Sequence, residues 1–198
     1  MGKLVLAVLW VLGWIHVFVF SPSGGMSTPD FITAVMTPGS EVIDPAVFMV
    51  FNLLGIWPLI MVAVLVQDTQ GRLKAWPFAF SSMVLGNSAL YVYLFMRRPQ
   101  AAFAGPVTLL VRFAESKILA WILLGATVAL LLYGLSQGSL LIYVSDWQTI
   151  FFVNVMTVDF FLFTAAFAFI LGDDMRRRNM PKTGLFWFHA LVPVLGAT

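Results

Sequence analysis

From residue 151 to residue 171 the chain runs through 21 residues whose only charged side chain is Asp159. At the α-helical rise this is about 31 Å of helix, enough to cross the hydrocarbon core of a bilayer. A carboxylate near the middle of such a span costs at least about 2.5–3.5 kcal/mol on insertion scales, so it faces other protein, a ligand or trapped water. One segment thus points to an integral membrane protein and to a first candidate functional residue.

Composition agrees with that class. The chain is 61% hydrophobic and 10% charged, with a mean hydropathy of +0.95, more apolar surface than a soluble domain of this size hides. Hydropathy places spans at 4–20, 46–66, 77–96, 118–135 and 151–171, and a shorter apolar piece at 185–197. That last piece is too short to cross a core of about 30 Å as a helix and is expected to lie at the interface. The expected fold is all-α, a polytopic transmembrane bundle of five spans plus a short C-terminal apolar helix, in one domain. With 198 residues there is no room for a sizeable domain outside the membrane.

The absence of cysteine excludes disulfides, thiolate metal sites and cysteine nucleophiles. Eleven Lys and Arg against nine Asp and Glu is too small an excess to argue for a nucleic-acid partner, so the placement of the charges matters more than their sum. Strict alternation of five spans puts Lys3, Arg72 and Lys74 on one face. It puts Arg97, Arg98, Arg112, Lys117, Arg176, Arg177, Arg178 and Lys182 on the other. The positive-inside rule then places the N-terminus outside or in a lumen. The first apolar run is expected to stay as a span, because no small-residue cleavage site follows it.

Trp76, Tyr143, Trp147 and Trp187 fall at span edges, where amphipathic rings anchor at the headgroup level. Pro58, inside the second span, is expected to kink it. In the fifth span Asn154, Thr157 and Thr164 share a stripe and Asp159 points elsewhere, which predicts a central helix without a broad lipid-facing side. Asn52 is a further intramembrane polar residue, on the second span. In the third span Ser81, Asn87, Ser88 and Tyr91 form a polar stripe, and Ser82 with Gly86 makes a small-xxx-small pair suited to close helix packing.

The two histidines, His16 and His189, lie near the end of the first span and near the start of the last apolar piece. Under the five-span scheme both sit about 6 Å deep on the basic side. Three readings stay open: separate axial ligands of chlorophyll magnesium, joint ligands of a haem iron, or members of an interfacial belt. The segment Gly172-Asp173-Asp174-Met175-Arg176-Arg177-Arg178 is expected to end the fifth span at Gly172. Its arginines would fix topology and dock an anionic headgroup or a partner's acidic patch. The Asp-Asp pair lacks the third aspartate and the second copy of a prenyl-transfer metal motif. No P-loop, no H-E-x-x-H and no G-x-S-x-G is present.

The segments Asn52-Leu53-Leu54-Gly55-Ile56-Trp57-Pro58, Arg112-Phe113-Ala114-Glu115-Ser116-Lys117 and Val155-Met156-Thr157-Val158-Asp159-Phe160, with Gly172-Asp173-Asp174-Met175-Arg176-Arg177, carry a resemblance. Over roughly residues 50–198 the chain resembles a group of small polytopic proteins of cyanobacteria and chloroplasts. The resemblance implies a thylakoid or related photosynthetic membrane, and it implies location rather than activity. In that setting the 19 Phe and seven Trp acquire a second use, packing on chlorin or carotenoid faces.

Three functional expectations follow. The first is a non-catalytic subunit or assembly factor of a photosynthetic complex, with lipid and other membrane subunits as partners and chlorophyll or carotenoid as cofactor. The second is a small proton-coupled transporter using Asp159, with Asn87, Asn154 and Tyr91 along the route. The third is a haem- or pigment-dependent membrane enzyme built on His16 and His189.

Overall fold

The computed structural model describes residues 2–37, 40–66, 73–98, 109–114, 116–177 and 186, and every regular element among them is helical. In chain order these are α1 (Gly2–Val19), α2 (Thr28–Met36), α3 (Pro45–Leu65), α4 (Ala75–Leu85), α5 (Asn87–Met96), α6 (Leu109–Ala114), α7 (Lys117–Gln137), α8 (Leu140–Thr149) and α9 (Phe151–Arg177). Four of them, α1, α3, α7 and α9, are long and apolar enough to cross a membrane. Apart from Phe186, the expected C-terminal helix at 185–197, with His189 and Trp187, lies outside the described residues, as does Arg178.

Local sequence accounts for most helix starts. Asp44 accepts from the Ala46 N–H at 2.8 Å and is followed by Pro45, whose missing donor and fixed φ suit the first turn of α3. The same carboxylate accepts from the Ser139 N–H at 3.2 Å, which ties the start of α8 to the start of α3. Ser27, Ser116 and Ser139 cap α2, α7 and α8. Pro58 is enclosed within α3, which continues past it to Leu65.

The expected third span is not one helix. It is α4 and α5, broken at Gly86, and the two halves lie side by side as a hairpin. In a continuous helix Phe78 and Tyr93 would stand about 22 Å apart along the axis. Their ring centroids are 5.5 Å apart. The α5 half runs alongside α9, with Asn87 at Asp159, Tyr91 donating to the Leu162 carbonyl at 2.9 Å, and Arg97 paired with Asp173. Both ends of the hairpin therefore sit at the end of the bundle where α9 finishes.

Strict alternation fails as a consequence. The Lys3 Nζ donates to the carbonyls of Phe95 and Arg97 at 2.8 and 2.7 Å, so α1 begins at the same end as Arg97 and Asp173 rather than opposite them. Among the described residues every Lys and Arg lies at this end: Lys3, Lys74, Arg97, Arg98, Arg112, Lys117, Arg176 and Arg177. At the other end stand Asp30, Glu41, Asp44 and Asp146. Burial, and then the nearby Asp44 carboxylate, raise the pKa of Asp146 above the usual range of an aspartate.

The core has two parts. Toward the basic end, Trp57 of α3 is fully enclosed and packs on Phe160, Phe163 and Phe167 of α9, together with Leu90, Tyr93 and Leu94 of α5. Toward the acidic end, α2 tucks Phe31 and Val35 against Val47, Val153 and Met156. The fifth-span helix touches α1, α2, α3, α5 and α8, and its central placement follows from that. It does not end at Gly172 but runs on to Arg177, and Asp173 bonds Arg97 and Arg176.

Candidate functional site

The hairpin turns where only glycine fits. Gly86 has φ +63° and ψ −161°, a region closed to residues with a Cβ. A Cβ added there would also land on the Asp159 carboxylate. Gly86→Ala is accordingly expected to cost at least about 1–3 kcal/mol from backbone conformation alone. Thermal unfolding in detergent measures it, and an unchanged midpoint would refute the glycine requirement.

Asp159 closes this turn from the neighbouring helix. One carboxylate oxygen accepts from the Asn87 backbone N–H at 3.2 Å, and the other accepts from the Asn87 side-chain amide. A helix start leaves N–H groups without partners and carries a partial positive charge; here an aspartate from α9 meets both needs. At the other end of α5 the Lys3 ammonium caps the last carbonyls. The half-helix is held between an anion at its positive end and a cation at its negative end.

A hairpin of half-length helices leaves space below its tip. The halves are 11 and 10 residues long, about 15–17 Å each, roughly half of a bilayer core. In the other half, between α1, α2, α3 and α9, lies a cavity of about 580 Å³. Its walls are mainly Trp10, Trp14, Met36, Phe51, Met83, Val84, Phe152, Met156 and Phe163. Its polar side chains, besides the indoles of Trp10 and Trp14, are Asn52, Ser82, Ser88 and the Asp159–Asn87 pair. Asn52 donates to the Phe48 carbonyl at 2.9 Å, which leaves its side-chain oxygen as an acceptor.

The remaining polar residues serve the acidic end of the bundle. Asn154 does not face Asp159. Its side-chain oxygen bonds His16 Nε2 at 3.0 Å and accepts from Ser21 Oγ at 2.8 Å, while its amide donates to the Trp147 carbonyl at 3.0 Å. His16 stacks on Trp147 at 6.4 Å between ring centroids. The expectation that His16 lies on the basic side is corrected, since α1 ends at the acidic side. His16 Nε2 is engaged with Asn154, so ligation of a pigment metal through that nitrogen would require this bond to be given up. Among the described residues no group of three or more His, Asp or Glu side chains is placed to hold a metal ion.

At the basic end, Arg97 and Asp173 form a buried ion pair, with the Arg97 guanidinium 6.0 Å from the Phe169 ring centre. Arg176 joins the same carboxylate from the surface and keeps most of its side chain exposed.

Sequence reasoning named Asp159, Asn87 and Asn52 separately, and the structure gathers them around one cavity. It missed the hairpin that brings them together. The signal was Gly86-Asn87, a turn dipeptide in the middle of an apolar run. Comparison with protein-family models, with curated proteins and with solved structures finds no match to this chain, so function is argued from the site itself.

Proposed function

We propose that the chain is a non-catalytic subunit or assembly factor of a photosynthetic membrane complex, and that its cavity holds an apolar pigment, a carotenoid in preference to a chlorophyll. The observation that carries this reading is the cavity. Its volume of about 580 Å³ lies in the range of small-molecule sites, and its walls are aromatic and methionine side chains with a few polar groups gathered at the hairpin tip. The resemblance over residues 50–198 supplies the photosynthetic membrane. A carotenoid carries no metal and needs no axial ligand, whereas chlorophyll and haem take one, commonly from histidine. No histidine lines the cavity among the described residues, and His16 Nε2 is committed to Asn154.

The membrane arrangement we propose has four crossings, α1, α3, α7 and α9, with the α4–α5 hairpin entering from the basic end and returning to it. A non-crossing hairpin keeps its backbone bonds inside its two helices except at the tip, which faces the bundle and its cavity, where the membrane interior tolerates such a break. The positive-inside rule then puts the basic end, with the N-terminus, on the cytoplasmic or stromal side. The cysteine-free chain makes this simple to test. Single cysteines at Lys74 and Arg98 are expected to react with a membrane-impermeant maleimide from one side, and a cysteine at Glu41 from the other. Labelling of positions 74 and 98 from opposite sides would rule out the hairpin arrangement.

Purification of the tagged protein from its native membrane in mild detergent, with an absorption spectrum and mass spectrometry, tests the function. The expected result is co-purifying photosynthetic subunits and carotenoid bands. A colourless protein without partners would overturn it and move the weight to a second reading, proton-coupled transport. One observation favours that alternative: Asp159 sits at the tip of a broken helix beside the cavity, the placement by which discontinuous helices bind substrates and ions at the bilayer midplane. If Asp159→Asn leaves uptake and its pH response unchanged, transport loses its support.

A further inference from the structure

We propose that the cavity takes an apolar molecule bearing one hydrogen-bond-donating head group, a hydroxyl or an amine, seated at the hairpin tip. This rests on the reading of the cavity as a ligand site and names the chemistry of its occupant.

The tip is rich in acceptors. The break at Gly86 deprives the last carbonyls of α4, those of Met83, Val84 and Leu85, of the N–H groups that a continuous helix would have given them. These three residues line the cavity, and their side chains are largely exposed. Asp159 lines it too, with lone pairs left over from its two bonds to Asn87. The Asn52 side chain offers its oxygen, since its amide nitrogen is turned toward the Phe48 carbonyl. Fewer donors face them: Asp159 occupies the first N–H of α5, Lys3 serves the far end of that helix, and the Asn52 and Asn87 amides each keep one N–H beyond the bond they make. The negative end of the α4 dipole points at the same place. A head group that donates is matched there; one that only accepts, or that carries negative charge, meets a surplus of acceptors and a carboxylate. The rest of the cavity is aromatic, aliphatic and thioether surface, which suits a prenyl or polyene body.

Gly55 provides a steric probe. It lines the cavity, and a Cβ added there meets nothing within 4 Å, so a larger side chain grows into the site rather than into the bundle. Gly55→Leu also exchanges a poor helix former for a good one.

The test uses the purified full-length protein in nanodiscs with four probes of one chain: geranylgeraniol, its primary amine, its methyl ether and its carboxylic acid. Binding is read from thermal shift and from tryptophan fluorescence, with Trp10 and Trp14 in the cavity wall. The alcohol and the amine are expected to bind at least about tenfold tighter than the ether, the worth of one buried hydrogen bond, and the acid to bind weakest. Gly55→Leu is expected to weaken all four by tenfold or more with its ligand-free unfolding midpoint kept. Asn52→Leu is expected to narrow the gap between alcohol and ether while the chain still binds. Equal binding of alcohol and ether, preference for the acid, or unaltered binding in both variants would each overturn the proposal. Should native protein arrive with photosynthetic partners while alcohol and ether bind alike, the head-group assignment alone fails. Should the alcohol bind selectively to a protein that purifies without partners, the site stands and membership of a photosynthetic complex fails.

Discussion

Asp159→Leu is expected to destabilise the protein by about 2–4 kcal/mol, the largest single effect at the hairpin tip. Two donors of Asn87, its backbone N–H and its side-chain amide, lose their acceptor, and Asn87 itself is buried. Each buried donor left unsatisfied costs about 1–3 kcal/mol. Removing the carboxylate also removes its own desolvation cost, which keeps the total below the simple sum. An ordinary interhelical hydrogen bond in a membrane protein contributes only about 0.6 kcal/mol, so a loss of this size distinguishes a structural keystone from one polar contact among many. Asp159→Asn keeps an acceptor for the backbone N–H and is expected to lose less than half as much. Unfolding in mixed micelles reads both variants. A leucine variant as stable as its parent would mean that the turn at Gly86 holds itself, and Asp159 would then be free for transport chemistry alone.

The long apolar helices were legible because 20-residue apolar runs have few other uses. The four helices long enough to cross begin and end within a few residues of the expected bounds, apart from α9. α9 was cut short at Gly172 because glycine often ends helices. It continues because Asp173 is tied to Arg97 and Arg176, and those bonds hold the extra turns in place. The hairpin was not legible from hydropathy, since two half-length helices back to back have the same apolar profile as one full span. That single misreading also placed the start of α1 at the wrong end relative to Arg97, because a hairpin that returns to its own end changes the parity of everything before it. A charge count contained the correction. If the third segment does not cross, all 11 Lys and Arg of the sequence fall in segments at one end, and residues 21–45 and 136–150 carry none. Eleven against none is a sharper bias than the eight against three of strict alternation. The cavity was out of reach of any sequence argument of this kind, because it is defined by what the hairpin leaves unfilled.

At the other end of the hairpin, Asp173→Ala is expected to cost about 3–5 kcal/mol, the usual penalty for breaking a buried pair by removing one partner. The Arg97 and Asp173 side chains are 1% and 6% exposed, so water does little to screen what is left behind. The neighbouring substitutions should fall in a definite order. Arg97→Met should cost less, because Asp173 keeps the Arg176 guanidinium and a methionine can lie against Phe169. Arg176→Ala should cost no more than about 1 kcal/mol, as its side chain is 70% exposed and the pair it leaves is intact. The double change Arg97→Met with Asp173→Leu should recover most of the loss, since an apolar pair of similar volume satisfies the same space without a desolvated charge. Tip and base contribute differently to the hairpin. The tip contact fixes where the turn sits beside the cavity, and the base contact fixes the hairpin to α9 and, through Lys3, to α1. If Asp173→Ala proves as mild as Arg176→Ala, the base is not an anchor, and the hairpin is held by the tip and by the packing of Leu90, Tyr93 and Leu94 against the core.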